Sequence, residues 1–119
     1  MEYLMLIYQG TTPLPGTDAW EALPEKEQKA IYADYGRLNQ TEGVTPGLPL
    51  GLPENATTVR VQEGKMLTTD GPFVSVKEAL GGYFVLEADD LDAAIELASK
   101  IPAARLGGAI EIRPSETYW

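Results

Sequence analysis

The sequence contains neither cysteine nor histidine. Without cysteine there is no disulfide framework and no thiolate chemistry; without histidine the commonest metal ligand and general base is missing. Together these absences exclude Cys-His pairs, Ser-His-Asp triads and ordinary zinc sites, so no metal or cofactor is expected. Long hydrophobic runs are absent as well. The longest, Tyr3 to Tyr8, is far too short to cross a bilayer, and Met1-Glu2 lacks the basic start of a secretory signal. A soluble, cytoplasmic chain with no membrane association is therefore expected. Basic residues are scarce: nine Lys and Arg stand against 18 Asp and Glu, a formal charge of −9 that repels phosphate backbones and argues against direct nucleic-acid binding.

What remains suffices for one core. A chain of 119 residues has the length of a single domain spanning 1–119. Its first strand, EYLMLIYQ at residues 2–9, turns Tyr3, Met5 and Ile7 one way and Leu4, Leu6 and Tyr8 the other, so both faces are apolar. After a polar connection, Asp18 to Glu21 suits a short turn around Trp20, and Pro24 opens a helix with Ile31, Tyr32, Tyr35 and Leu38 on one stripe and Gly43 as its stop. Residues 44–56 carry Pro46, Pro49 and Pro53, which break any continuous ladder and predict an extended edge segment or loop. TTVRVQ, the turn Glu63-Gly64 and KMLTTD read as a hairpin leading into Asp70-Gly71-Pro72-Phe73. Gly81-Gly82 introduces YFVLEA, another strand apolar on both faces. Asp89-Asp90 then caps a helix with Leu91, Ala94, Ile95 and Ala98 at helical spacing, and AIEIR alternates before Pro114.

This order of elements predicts an α+β, ferredoxin-like (split βαβ) protomer: an antiparallel sheet with two helices on one face. Two helices cover one face only. The apolar second face is expected to meet a second copy of the chain in a homodimer, the alternative being cover by the proline-rich loop of the same chain.

The first strand, the ATTVR strand, TDGPF followed by Lys77-Glu78 and LGGYF, the DLDAAIELASKIPAA helix and the closing GGAIEIRP together resemble the YCII-related, DGPF-domain family over nearly the whole chain. The resemblance implies a dimeric α+β barrel, with the sheets of two ferredoxin-like protomers packed face to face. It also implies a setting near sigma factors, and with it sigma-factor association. The chain departs from the family pattern twice. Val74-Ser75-Val76 follows DGPF where many relatives have Ala-Glu-Thr, and the histidine of the pair proposed as active in the broader family is absent.

The candidate site centres on Asp70. As a turn, Asp-Gly-Pro needs no function: the Asp side chain accepts from nearby N–H groups and Gly71 supplies positive φ. As a site, the turn presents the Asp70 carboxylate as general acid or base, with Gly71 beside it, Phe73 and Tyr83 as walls, and Arg60 and Arg113 orienting a polar ligand. Lys77 is a further ligand-binding candidate, against its reading as a solvated charge. Arg60, Glu87, Glu111 and Arg113 alternate with apolar neighbours, so burial would require pairs such as Arg60–Glu111 or Arg113–Glu87. Two functions follow: a small-molecule-binding or regulatory dimer, or a cofactor-free enzyme using Asp70. Without a nucleophile–base pair, the binding dimer is the preferred reading.

Overall fold

Strand β1 (Glu2–Tyr8) sits inside the sheet, and its alternation decides which way the sheet faces. Tyr3, Met5 and Ile7 are buried on one side, while Leu4, Leu6 and Tyr8 are half-buried on the other. In this computed structural model, which describes residues 1–73 and 80–118, β1 pairs antiparallel with both β5 (Leu80–Glu87) and β6 (Ala109–Pro114). The short β2 (Val44–Pro46) joins the far edge of β5, so the main sheet has the order β2-β5-β1-β6. That is the ferredoxin-like arrangement, with all neighbours antiparallel. β3 (Thr57–Gln62) and β4 (Lys65–Asp70) form the expected hairpin, but as a separate two-stranded sheet inserted between β2 and β5.

The sheet's buried face is covered by α2 (Glu25–Asn39) and α3 (Leu91–Ala98), with Ile31 and Leu38 buried on the first and Ala94 and Ala98 on the second. Asp90 caps α3, its Oδ1 accepting the Ala93 N–H at 2.9 Å. The one-turn α1 (Asp18–Glu21) is capped by Thr17, buries Trp20, and is tied to α2 by Gln28 Nε2, which donates to the Trp20 carbonyl at 2.8 Å. After α3, Ile101 and Pro102 drop into the core, both fully buried.

Two helical stripes differ from the sequence expectation. Tyr32 is 57% exposed, and Leu91 and Ile95 are each 50% exposed. On α3 the inward face is instead Ala94, Leu97 and Ala98, continued by Ile101. Small alanines bring α3 close to the sheet, and that choice of face leaves Leu91 and Ile95 at the boundary with solvent.

The proline-rich segment is extended, as expected, and its hydrogen bonds run between its prolines. Gly47 N donates to Tyr83 O at 3.1 Å and Leu50 N to Gly81 O at 3.0 Å, which prolongs the β2–β5 contact past Pro46 and Pro49. The segment therefore lies on the sheet edge, where a missing donor is tolerated. On the face away from the helices, Leu4, Leu6, Tyr8, Tyr83 and Val85 form a half-buried apolar centre, and Glu87, Glu111 and Arg113 lie exposed around it.

Candidate functional site

A cavity of about 520 Å³ opens where the proline-rich segment, α2 and the ends of β1 and β5 meet. Ile7, Gly82 and Phe84 contribute from the sheet, and Ile31, Tyr35 and Asn39 from α2. Trp20 stands at the end of α1, while Leu48 and Leu50 reach it from the segment after β2. Its aromatic wall is ordered by ring contacts: Trp20 meets Tyr32 edge-on at 5.3 Å between centroids, and Tyr35 stacks on Phe84 at 6.3 Å. Such pairs hold rings in place beyond what area burial alone provides.

Backbone without side chains makes the room. β1 and β5 carry a bulge, with Ile7 opposite Gly82 and Tyr8 opposite Leu80. Gly81 is the extra residue, and the Gln9 amide occupies the place where a side chain would stand, 1.3 Å from the position of a Cβ. The double glycine thus gives more than a tight path into the strand: it seats a polar side chain at one end of the cavity.

No Asp, Glu, Lys or Arg occurs among the described residues lining this cavity. Polar capacity comes from the Gln9 and Asn39 amides, the tyrosine hydroxyls and Thr12, whose buried Oγ1 has no protein hydrogen-bond partner. Burial pushes the Tyr35 hydroxyl above its ordinary pKa, and the positive charge of Arg105 pulls it partway back. At neutral pH Tyr35 is therefore a neutral donor or acceptor. An uncharged, largely apolar cavity suits a neutral ligand, because an ion entering it would shed its hydration without a counter-charge among the described lining residues.

The residues expected at the site fall in several places. Tyr83 is half-buried and lines the cavity, and its ring presses so closely on Gly47 that a Cβ there would lie 2.4 Å from Tyr83 Cε2. Asp70 is exposed at the end of β4. Gly71 takes φ +101, donates its N–H to Ala56 O at 2.7 Å and accepts from Thr58 Oγ1 at 2.8 Å through its own carbonyl. Those bonds close the base of the hairpin and give the turn its structural work. Phe73, 72% exposed, lies beneath the Arg60 guanidinium at 5.7 Å, a cation–π contact on the hairpin. Arg113 projects from β6 on the face opposite the helices. Arg60, Asp70, Phe73 and Arg113 are not among the described lining residues. Lys77, with Glu78 and the Val74-Ser75-Val76 departure, lies outside the described residues.

The ion pairs envisaged for the strand charges are replaced by others. Glu87 accepts from the N-terminal ammonium at 2.6 Å, and Arg60 sits on the separate hairpin, not across from Glu111. A second cleft, of about 450 Å³, contains Asp34, Arg37, Lys100 and Arg105. There Asp34 pairs with Arg37 and, at 2.8 Å, with Arg105, which clamps α2 to the turn after α3; Arg37 also suits the carbonyl end of α2.

Sequence reasoning missed Trp20, Tyr35, Asn39 and the leucines as site residues. A signal was present in GLPLGLP: leucines in a segment that prolines keep from folding into a core element must find apolar neighbours elsewhere.

Comparison with known proteins places these features in context. The YCII-related domain model matches residues 1–116. An uncharacterized protein of Rhizobium meliloti (strain 1021) is 27% identical over 128 aligned residues, which cover 99% of this chain and 94% of the relative. Among solved structures, a 5-chloro-2-hydroxyhydroquinone dehydrochlorinase from Burkholderia phenoliruptrix AC1100, in complex with 2,5-dihydroxybenzoquinone, aligns with a TM-score of 0.49 at 16% identity, covering 98% of this chain and 94% of that one. No helix among the described residues is long and apolar enough to cross a membrane.

Proposed function

The chain belongs to the YCII-related domain family, and from that premise we propose that it is a homodimeric small-molecule-binding protein whose ligand is neutral and largely apolar. The observation that carries the reading is the cavity of about 520 Å³ between Trp20, Tyr35 and Leu48, with an aromatic wall and no charged group among its described lining residues. Its size falls in the range of small-molecule sites. Gln9, Asn39 and the Tyr35 hydroxyl supply orientation for one or two polar groups on such a ligand.

The homodimer draws its support from the half-buried face of Leu4, Leu6, Tyr8, Tyr83 and Val85, which a second copy would cover. Binding is favoured over catalysis because tyrosines are the only titratable side chains among the described lining residues, and a neutral tyrosine held above its ordinary pKa is a poor general base. A sigma-factor partner finds no support in the fold or in the relatives, and a role for Asp70 as acid or base would require a ligand at the hairpin.

Thermal unfolding in the presence of small neutral and anionic fragments tests the reading. Neutral fragments should stabilise the wild type by mass action. Leu48→Asp, at a position 70% exposed and so tolerated by the fold, should weaken that stabilisation at least about tenfold in apparent affinity by placing a charge at the rim. Fragments that bind Leu48→Asp as well as wild type, or an all-anionic set of binders, would overturn the assignment.

A further inference from the structure

The β3–β4 hairpin behaves as an arm. Among the described residues its extensive contacts are between its own two strands, and eleven of its twelve strand positions, all but Thr58, are exposed. The molecule is extended as well, with a radius of gyration of 16.2 Å and extents of 49 × 41 × 19 Å, against about 13.5 Å for a compact chain of this length. Val59, Val61 and Met66 are 57%, 68% and 71% exposed. The register of the hairpin, with Val59 opposite Thr68 and Val61 opposite Met66, puts all three on one face. A two-stranded hairpin with an uncovered apolar face is marginal in water, so a sequence that maintains one needs something to lay it on.

The same chain offers a surface of the right chemistry. Leu4, Leu6, Tyr8, Tyr83 and Val85 form the apolar centre of the open sheet face, and Glu2, Glu87 and Glu111 stand around it with Arg113. The arm carries Arg60 and Lys65, two of only nine basic residues in a chain of charge −9. Its charged strand and turn residues, Arg60, Lys65, Glu63 and Asp70, sum to zero, so the arm adds no net charge of its own to the repulsion between two copies of a chain of charge −9. Area points the same way. A four-stranded face about 20 Å on a side presents about 400 Å² in plan, small beside the roughly 800 Å² of accessible surface each partner buries in a standard interface. An arm about 20 Å long adds a second contact of similar length.

We propose that the hairpin is an exchanged arm: it packs on a second copy of this chain, with Val59, Val61 and Met66 against the flank of that copy's open sheet face, while Arg60 and Lys65 project from the hairpin's other face. The proposal rests on the homodimer argued above and extends it to a specific, isologous contact, since each arm meets the other copy's face.

Sedimentation at graded concentrations tests it on wild type and on the double variant Val61→Lys, Met66→Lys, whose positions are exposed in one copy and should leave the fold intact by circular dichroism. The wild type should sediment as a dimer, and the variant's dissociation constant should rise roughly 100-fold. A dimeric variant with the wild-type constant overturns the arm and spares the dimer; a monomeric wild type overturns both. Cross-linking provides a second arm should the variant unfold, because the absence of native cysteine makes introduced ones unambiguous. Mixed Val61→Cys and Glu111→Cys proteins should yield a disulfide-linked heterodimer on mild oxidation. Failure to link while each protein remains dimeric overturns the proposal.

Discussion

Two glycines that line the same cavity should respond to alanine with opposite sign, and the backbone shows why. At Gly82 a Cβ would stand 3.7 Å from Leu48 O and 3.9 Å from both Ile7 Cδ1 and Pro49 Cα, which is ordinary van der Waals contact. Gly82 is buried within β5 and carries no positive φ. Replacing it with alanine removes backbone freedom from the unfolded chain, a gain of about 0.5–1 kcal/mol. Partial burial of one methyl, at most about 0.8 kcal/mol, adds to that. A net stabilisation of about 1 kcal/mol follows, or a shift near 0.5 M in the urea midpoint at an m-value of about 2 kcal/mol/M. At Gly47 the added Cβ would lie 2.4 Å from Tyr83 Cε2 and 2.5 Å from Tyr83 O, and the second of these is backbone that cannot swing aside. Overpacking of about 1–3 kcal/mol combines with loss of the Gly47–Tyr83 hydrogen bond, about 1 kcal/mol, for a destabilisation of about 2–4 kcal/mol. Urea unfolding followed by circular dichroism at one fixed protein concentration measures both variants. A destabilised Gly82→Ala, or a Gly47→Ala that unfolds like wild type, would refute the packing described for the proline-rich segment over β5.

Other variants probe neighbouring parts of the account. Asp90→Ala removes the cap of α3 and should cost about 1 kcal/mol in the same assay, with little change in m. The Tyr35 pKa is raised in the folded state, so its contribution is intact below the ordinary tyrosine pKa near 10 and fades as pH rises through the raised value. Wild type should therefore lose stability above about pH 10, Tyr35→Phe should lose less over that range, and parallel pH profiles would contradict the burial of that hydroxyl. Asp70→Asn should change stability by no more than about 0.5 kcal/mol, given an exposed side chain, and should leave binding of neutral fragments unchanged. Loss of fragment binding in that variant, with the fold intact, would return Asp70 to the site.

Much of the architecture was legible because period-2 alternation at Tyr3–Tyr8 and Tyr83–Leu86 and the Asp90 cap are local signals with local causes; α2, by contrast, ends at Asn39 with Gln40 as its C-cap, short of the expected stop at Gly43. The exposed positions of Tyr32, Leu91 and Ile95 were not legible, since which side of an apolar stripe meets the sheet is settled by how closely Ala94 and Ala98 let α3 approach. Gly47 read as part of an extended segment or loop and Gly81 as the entry to a strand, whereas each makes room for a side chain distant in sequence, Tyr83 in one case and Gln9 in the other. The cavity was hidden for the same reason. Its wall combines Trp20, Tyr35 and Leu48 from three separate segments, and no motif spans them. The DGPF turn drew attention because turn chemistry and site chemistry use the same residue types; its Gly71 hydrogen bonds account for the turn.

Trp20 offers the most direct measurement of the central claim, that the cavity takes a neutral ligand. It is one of two tryptophans in the chain, so Trp119→Phe leaves a single tryptophan, on the cavity wall, to be excited selectively over the tyrosines. Titration of that variant with aromatic amides and their matched carboxylates, such as 2-naphthamide and 2-naphthoate, should give saturable changes in Trp20 emission with the amides. The carboxylates should bind at least about tenfold more weakly, because none of the described lining residues offers a counter-charge. Carboxylates that bind as tightly as their amides, or a Trp20 signal indifferent to every neutral aromatic that binds the protein, would contradict the account.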